Sequence, residues 1–78
     1  MARTAWHQRV VINAELHHGE PCIRGTRVPV RMIIGSLADG MSPQEIRNEY
    51  PQLVQDDIQA ALAYAAEVLH QEVLIPLT

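Results

Sequence analysis

The sequence contains no lysine and no phenylalanine, and it has one cysteine, Cys22, and one tryptophan, Trp6. A single cysteine excludes an intramolecular disulfide and fits a reducing compartment. Residues 1–10 contain no apolar run of signal-peptide length, and no later stretch approaches the length of a membrane span. We therefore expect a cytoplasmic protein that does not cross a membrane.

The 78 residues can bury only a small core, which isoleucine, valine and leucine must supply at seven residues each. Chains of this size often gain stability by associating with another chain. We therefore expect one domain over residues 1–78 that forms a homodimer or binds a partner.

Because lysine is absent, all fixed positive charge lies on six arginines, and these are distributed unevenly. Residues 1–37 carry five arginines and two acidic residues, whereas residues 38–78 carry one arginine and seven acidic residues. This asymmetry predicts two surfaces with different roles, although a solvated acidic helical face is the simpler interpretation for any single charge.

The first third of the chain has the pattern of a β-hairpin over residues 9–28. The β-branched stretch "RVVIN" (9–13) favours a strand, and "CIRGTRV" (22–28) favours a second one that is interrupted at Gly25. Val28 precedes Pro29 and is therefore held extended, and Pro29 suits the first turn of a helix.

Three helices are predicted after the hairpin, over residues 30–39, 43–50 and 55–70. The second has the clearest start, because Ser42, Pro43 and Glu45 form a capping box with proline at the first helical position. The third is expected to bury one apolar stripe, made of Ile58, Ala61, Leu62, Ala65 and Leu69. The order of elements predicts a mainly α fold, with a short N-terminal β-hairpin followed by a trihelical, helix-turn-helix-like bundle.

The last residues, 73–78, form an apolar tail broken by Pro76. Three roles remain open for it: packing on the core of its own domain, sealing a dimer, or inserting into a groove of a partner.

Three motifs in order, "GTRVPV" (25–30), "YPQL" (50–53) and "IQAALAYA" (58–65), give residues 19–66 a resemblance to the bacterial domain-of-unknown-function family 433. The resemblance implies a small homeodomain-like or winged-helix-like fold. It also implies an antitoxin of a type II toxin–antitoxin module, whose toxin is a PIN-like ribonuclease. The family pattern has Thr or Ser where Val54 stands here, so the third helix is expected to lose its N-cap oxygen.

No catalytic residue, cofactor or metal site is expected. Cys22 has no clearly placed histidine partner. The histidines match no zinc-ligand spacing, and loop histidines exposed to solvent are the favoured interpretation.

Binding of operator DNA is a second hypothesis, and its candidate residues are Arg24, Arg27, Arg31, Gln55 and Gln59. The glutamines are suited to adenine edges, but the third helix carries acidic residues and no arginine, so the arginines must supply the attraction to phosphate. A stand-alone helix-turn-helix regulator and a structural adaptor without enzymatic activity are the alternatives.

Binding of a protein partner is the favoured hypothesis, with Arg24, Arg31 and Arg27 as the candidate residues. Arginine pairs in bidentate fashion with carboxylates, which line the metal pocket of a PIN-like ribonuclease. Arg27 is also expected to pin its own strand to the acidic helices, through Glu45, Glu49 or Asp57.

The remaining motif residues are assigned to the fold: Gly25, Thr26, Pro29, Tyr50 and Pro51.

Overall fold

A computed structural model describes residues 6–13 and 19–71, without the side chain of Gln71. Two short strands, β1 (Val10–Val11) and β2 (Cys22–Ile23), pair antiparallel with Val10 opposite Ile23. Three helices follow: α1 (Val30–Ala38), α2 (Pro43–Glu49) and α3 (Gln55–Gln71). The predicted mainly helical fold with an N-terminal hairpin is confirmed, and each helix lies within one residue of its expected bounds. The tail, 73–78, lies outside the described residues.

The strands are shorter than predicted, and β2 ends where the chain turns at residues 24–26. The loop after Ile23 is closed by a hydrogen bond from the Ile23 N–H to the Val28 oxygen at 2.9 Å. Pro29 then pairs with Cys22 in an isolated bridge and serves as the N-cap residue of α1. Pro29 thus stands one position before the first helical turn, in extended backbone with φ −67° and ψ 142°.

The connection from α1 to α2 satisfies the exposed backbone groups of both helix ends. Gly40, with φ +97°, donates to the Leu37 oxygen, and Met41 donates to the Ser36 oxygen, which is the Schellman arrangement. The capping box predicted for α2 is confirmed: the Glu45 N–H donates to Ser42 Oγ at 3.1 Å, and the Ser42 N–H donates to Glu45 Oε1 at 2.8 Å.

The core lies between the hairpin and the three helices. Four isoleucines, Ile23, Ile33, Ile46 and Ile58, are its largest fully buried side chains. Full burial of each stabilises the fold by about 1.5–3 kcal/mol. They represent β2 and each helix in turn, so loss of one would loosen the contact between elements as well as the core.

The apolar stripe predicted for α3 is partly wrong. Ile58 and Ala61 are buried as expected, but Leu62 is 41% exposed and Leu69 is 62% exposed. The helix instead buries a neighbouring face, made of Asp57, Ile58, Ala60, Ala61 and Ala63. The alanines allow close packing against α1 and α2, while the larger leucines are left outside.

Candidate partner-binding surface

The RGTR loop, residues 24–27, is held rigid by the hydroxyl of Thr26. Thr26 Oγ1 donates to the Ile23 oxygen at 2.9 Å and accepts from the Val28 N–H at 3.0 Å. Gly25 and Arg27 both adopt positive φ, at +78° and +63°. Arginine, like most residues with a side chain, rarely adopts the left-handed conformation. The hydrogen bonds of Thr26 therefore stabilise a backbone that Arg27 alone would not prefer.

This backbone turns Arg24 and Arg27 towards solvent, where both side chains are exposed. Arg24 donates from its own N–H to the Arg9 oxygen at 2.7 Å and from Nε to the Gln8 oxygen at 2.9 Å. These bonds orient the guanidinium without neutralising it. Within residues 6–13 and 19–71, neither Arg24 nor Arg27 forms an ion pair.

The expected intramolecular pairing of Arg27 is therefore wrong. Asp57 is already occupied by Arg9, and Glu45 accepts from the Ser42 N–H. Arg27 is instead exposed to solvent, with its backbone at φ +63°.

Arg31, in the first turn of α1, forms an ion pair with Glu20, and its side chain is 71% exposed. The pair is open to water and weak, so Arg31 stays accessible but carries a charge that is partly offset.

A concavity of about 260 Å³ adjoins the RGTR loop. Its walls are formed by Val11, Asn13, Glu20, Cys22, Ile23, Gly25, Thr26 and Arg27. Ligand pockets for drug-sized molecules begin near 300 Å³, so this space has the size of one or two side chains. Apart from Gly25 and its two chain neighbours, no heavy atom of the described residues lies within 4 Å of the position where a Cβ on Gly25 would stand, which leaves the rim open.

Cys22 lies in this wall with 4% of its surface exposed and donates from Sγ to the Glu20 oxygen at 3.4 Å. Burial raises the pKa of the Cys22 thiol, the charge of Glu20 raises this pKa further, and Arg31 partly opposes the shift. The thiol is consequently protonated at neutral pH, the form that is a poor nucleophile.

Arg9 makes the principal link between the hairpin and α3. Arg9 Nη1 donates to Asp57 Oδ1 at 3.0 Å, and Nη2 lies 3.4 Å from Asp56 Oδ2. Asp57 is 6% exposed, whereas the Asp56 side chain is 69% exposed. The first of these two contacts is therefore the shielded one.

Asp57 also supplies one half of a capping box at the start of α3. Its Oδ2 accepts from the Val54 N–H at 3.0 Å, which is the reciprocal half of a capping box. Val54 lacks the side-chain oxygen, as the sequence indicated, but the helix start is secured from three residues further on. The sequence pattern that predicts this arrangement is an acidic residue, Asp57, at the third helical position.

Trp6 strengthens the same link. Its indole Nε1 donates to Glu67, and its ring meets the Tyr64 ring edge-on, with centroids 4.8 Å apart. The turn formed by residues 6–9 is thereby fixed along nearly three turns of α3, from Asp57 to Glu67.

The candidate DNA-reading residues Gln55 and Gln59 are both exposed, one helical turn apart on α3. A polar concavity of about 280 Å³, lined by Gln8, Arg9, Arg24 and Asp57, adjoins the first turn of the helix. Arg24 thus lies close to the start of α3, whereas Arg27 and Arg31 belong to the other concavity or its surroundings.

Two structural motif residues close the turn between α2 and α3. Tyr50 is the C-cap residue of α2 and packs against the core, and its oxygen accepts from the Leu53 N–H at 2.9 Å. Pro51 is exposed in the turn that follows.

Among the described residues, no group of three or more His, Cys, Asp and Glu side chains is arranged to hold a metal ion. His17 and His18 lie outside this part of the chain. No helix in the described ranges is both long enough and apolar enough to cross a membrane.

Neither a curated protein nor a solved structure shows significant similarity to this chain. A family model does match, over residues 10–65, which include the RGTR loop, all of α1 and α2, and most of α3. That family is described as a protein of unknown function, DUF433, and this chain belongs to it.

Proposed function

We propose that the protein is a cytoplasmic antitoxin that binds and neutralises a PIN-like ribonuclease through the RGTR loop. The observation that carries the proposal is the presence of two exposed guanidinium groups, Arg24 and Arg27, without an ion pair among the described residues, on a loop that is already ordered. An ordered loop loses little conformational entropy on binding.

Acidic side chains of the partner are the expected contacts, because guanidinium groups pair with carboxylates in bidentate geometry. The neighbouring concavity offers space for one apolar side chain of the partner against Val11 and Ile23. Arg31 contributes less, since Glu20 already accepts from it.

The test is co-purification of the tagged protein with the product of the adjacent gene. We expect Arg24→Ala with Arg27→Ala to abolish the complex, and Arg31→Ala to weaken it only slightly. Gln44→Ala, an exposed change on α2, is the matched control. A complex that survives the double substitution, with the circular dichroism spectrum unchanged, would contradict the proposal.

Operator binding is a second candidate function, favoured by the position of Arg24 near the start of α3 and by the exposed Gln55 and Gln59. The exposed Asp56 repels phosphate at the same place, and Arg9 already pairs with Asp57. In gel-shift titrations with the adjacent promoter, Gln55→Ala with Gln59→Ala should relax sequence preference, and Arg24→Ala should lower the salt dependence of binding. Binding that both variants leave unchanged would remove this candidate.

A further inference from the structure

The C-terminal half of α3 extends beyond the core. The last buried residue of the helix is Ala63, and residues 64–70 are all half-buried or exposed. Leu62 and Leu69, 41% and 62% exposed, lie on one face two turns apart, with the half-buried Ala65 and Ala66 between them. This face is apolar, and no described element of the chain covers it fully.

We propose that two copies of the chain form a two-fold dimer through α3, running antiparallel, with Leu62 of each copy packed against Leu69 of the other. The midpoint between Leu62 and Leu69 falls between Ala65 and Ala66. Antiparallel pairing about that midpoint sets each leucine opposite the other leucine and each alanine opposite the other alanine. A self-complementary face of this kind is what a two-fold interface requires.

The size of the side chains fits this arrangement. Small residues at the centre of a helix pair allow the two backbones to approach, and larger residues on either side close the ends of the contact. The spacing of Leu62, Ala66 and Leu69 is four residues and then three, which is the apolar repeat of paired helices.

Charge favours the antiparallel direction. Exposed Asp56 lies in the first turn of α3, and His70 lies in the last. Parallel pairing would set the acidic first turns of the two copies side by side and align the helix dipoles. Antiparallel pairing separates the like charges and opposes the dipoles.

A stable dimer needs a larger buried area than these four residues supply. A stable interface buries about 800 Å² on each partner, more than two leucines and two alanines provide. The sequence after Gln71 is "EVLIPLT", and it adds four aliphatic side chains, Val73, Leu74, Ile75 and Leu77. Truncation after Gln71 tests whether this apolar segment supplies the remaining area.

The other large apolar residues exposed in the described ranges serve as controls. Ile12, Met32 and Val54 are 55%, 37% and 48% exposed and lie on three different segments. They form no shared face with the spacing of a helix pair, so charged substitutions there should leave dimerisation unchanged.

The experiment measures the dissociation constant of the dimer by analytical ultracentrifugation. We expect Leu62→Lys and Leu69→Glu each to weaken dimerisation at least about 100-fold, because each change occurs twice per dimer and each buried leucine is worth about tenfold or more. Ile12→Glu should have no effect. Truncation after Gln71 should raise the monomer fraction.

Mixing the two variants tests the direction of the helices. In an antiparallel heterodimer the lysine of one variant faces the glutamate of the other, and the remaining two leucines still meet, so a dimer should reappear. A wild-type chain that is monomeric at all concentrations, a dimer that tolerates both substitutions, or a mixture that fails to associate would each overturn the proposal. This readout needs no toxin, and its outcome is independent of the proposed antitoxin function.

Discussion

The turn at residues 6–9 and the RGTR loop at residues 24–27 lie side by side, joined by the Arg24 N–H at 2.7 Å from the Arg9 oxygen. Each presents an arginine from a hydrogen-bonded turn, but the two arginines have opposite roles. Arg9 is directed inwards to Asp57, where it fixes the hairpin to α3. Arg27 is directed outwards, with its backbone at φ +63°. A cluster of arginines in a sequence is therefore not one surface, because the local backbone decides which charges stay available.

The largest change in stability is expected at Asp57, which pairs with the inward-directed Arg9. Asp57→Ala removes the acceptor of both Arg9 Nη1 and the Val54 N–H, and should lower the free energy of unfolding by about 2–4 kcal/mol. Urea titration followed by circular dichroism measures this loss. Asp56→Ala, which removes only the exposed contact, should change stability by less than about 0.5 kcal/mol. Equal effects from the two variants would show that the buried pair has no special role.

The next largest change in stability is expected from the hydrogen bonds of Thr26, which order the RGTR loop independently of its charges. Thr26→Val keeps the shape of the side chain but removes both hydrogen bonds of the hydroxyl and leaves the Val28 N–H without its acceptor. The free energy of unfolding should fall by about 1–2 kcal/mol. Thr26→Ser retains the hydroxyl and serves as the control in the same thermal unfolding measurement. A valine variant as stable as wild type would argue against an ordered loop.

A smaller effect, of opposite sign, is expected at the outward side. Arg27→Gly removes the cost of a positive φ, which favours the folded state, but it also increases the freedom of the unfolded chain, which opposes folding. The first effect is the larger, so stability should rise by about 0.5–1 kcal/mol. Binding of the partner should weaken in the same variant. Thermal unfolding and co-purification together test both parts, and a destabilised variant would show that Arg27 supports the fold instead.

The smallest effect concerns pH at the start of α2. Hydrogen bonds from Ser42, through its backbone N–H first, lower the pKa of the exposed Glu45. A lowered folded pKa means that this stabilisation is present above the unfolded value, near 4.3, and is lost as pH falls through the folded value. Glu45→Gln keeps a side-chain acceptor for the Ser42 N–H without the titration. The stability difference between wild type and Glu45→Gln should therefore disappear at low pH, as melting temperatures measured from pH 7 to pH 2 would show.

The helices could be predicted from sequence because their ends are local. The capping hydrogen bonds join residues only a few positions apart, and those of Ser42, Glu45 and Gly40 form as the sequence pattern indicated. The hairpin turn is likewise encoded by Gly25 and Thr26, although the length of the strands was overestimated.

The candidate surface was less predictable, since its arrangement depends on contacts between distant segments. Asp57 had several arginines available to it, and only the packing of the hairpin on α3 selects Arg9, 48 residues away. The stripe of α3 was misjudged for a related reason. Alanine and leucine both count as apolar in a periodic pattern, and the tight space beside α1 and α2 selects alanine.

The hydrogen bond between Trp6 and Glu67, which are 61 positions apart, bears on the order in which the molecule assembles. Contacts among α1, α2 and α3 close short loops and are reached early, whereas docking of the N-terminal turn must wait for nearly the whole chain to be in place. Substitutions at Trp6 should consequently accelerate unfolding and leave the refolding rate almost unchanged. We therefore expect Trp6 to dock late in folding, and we expect the stability of its contacts to determine the unfolding rate.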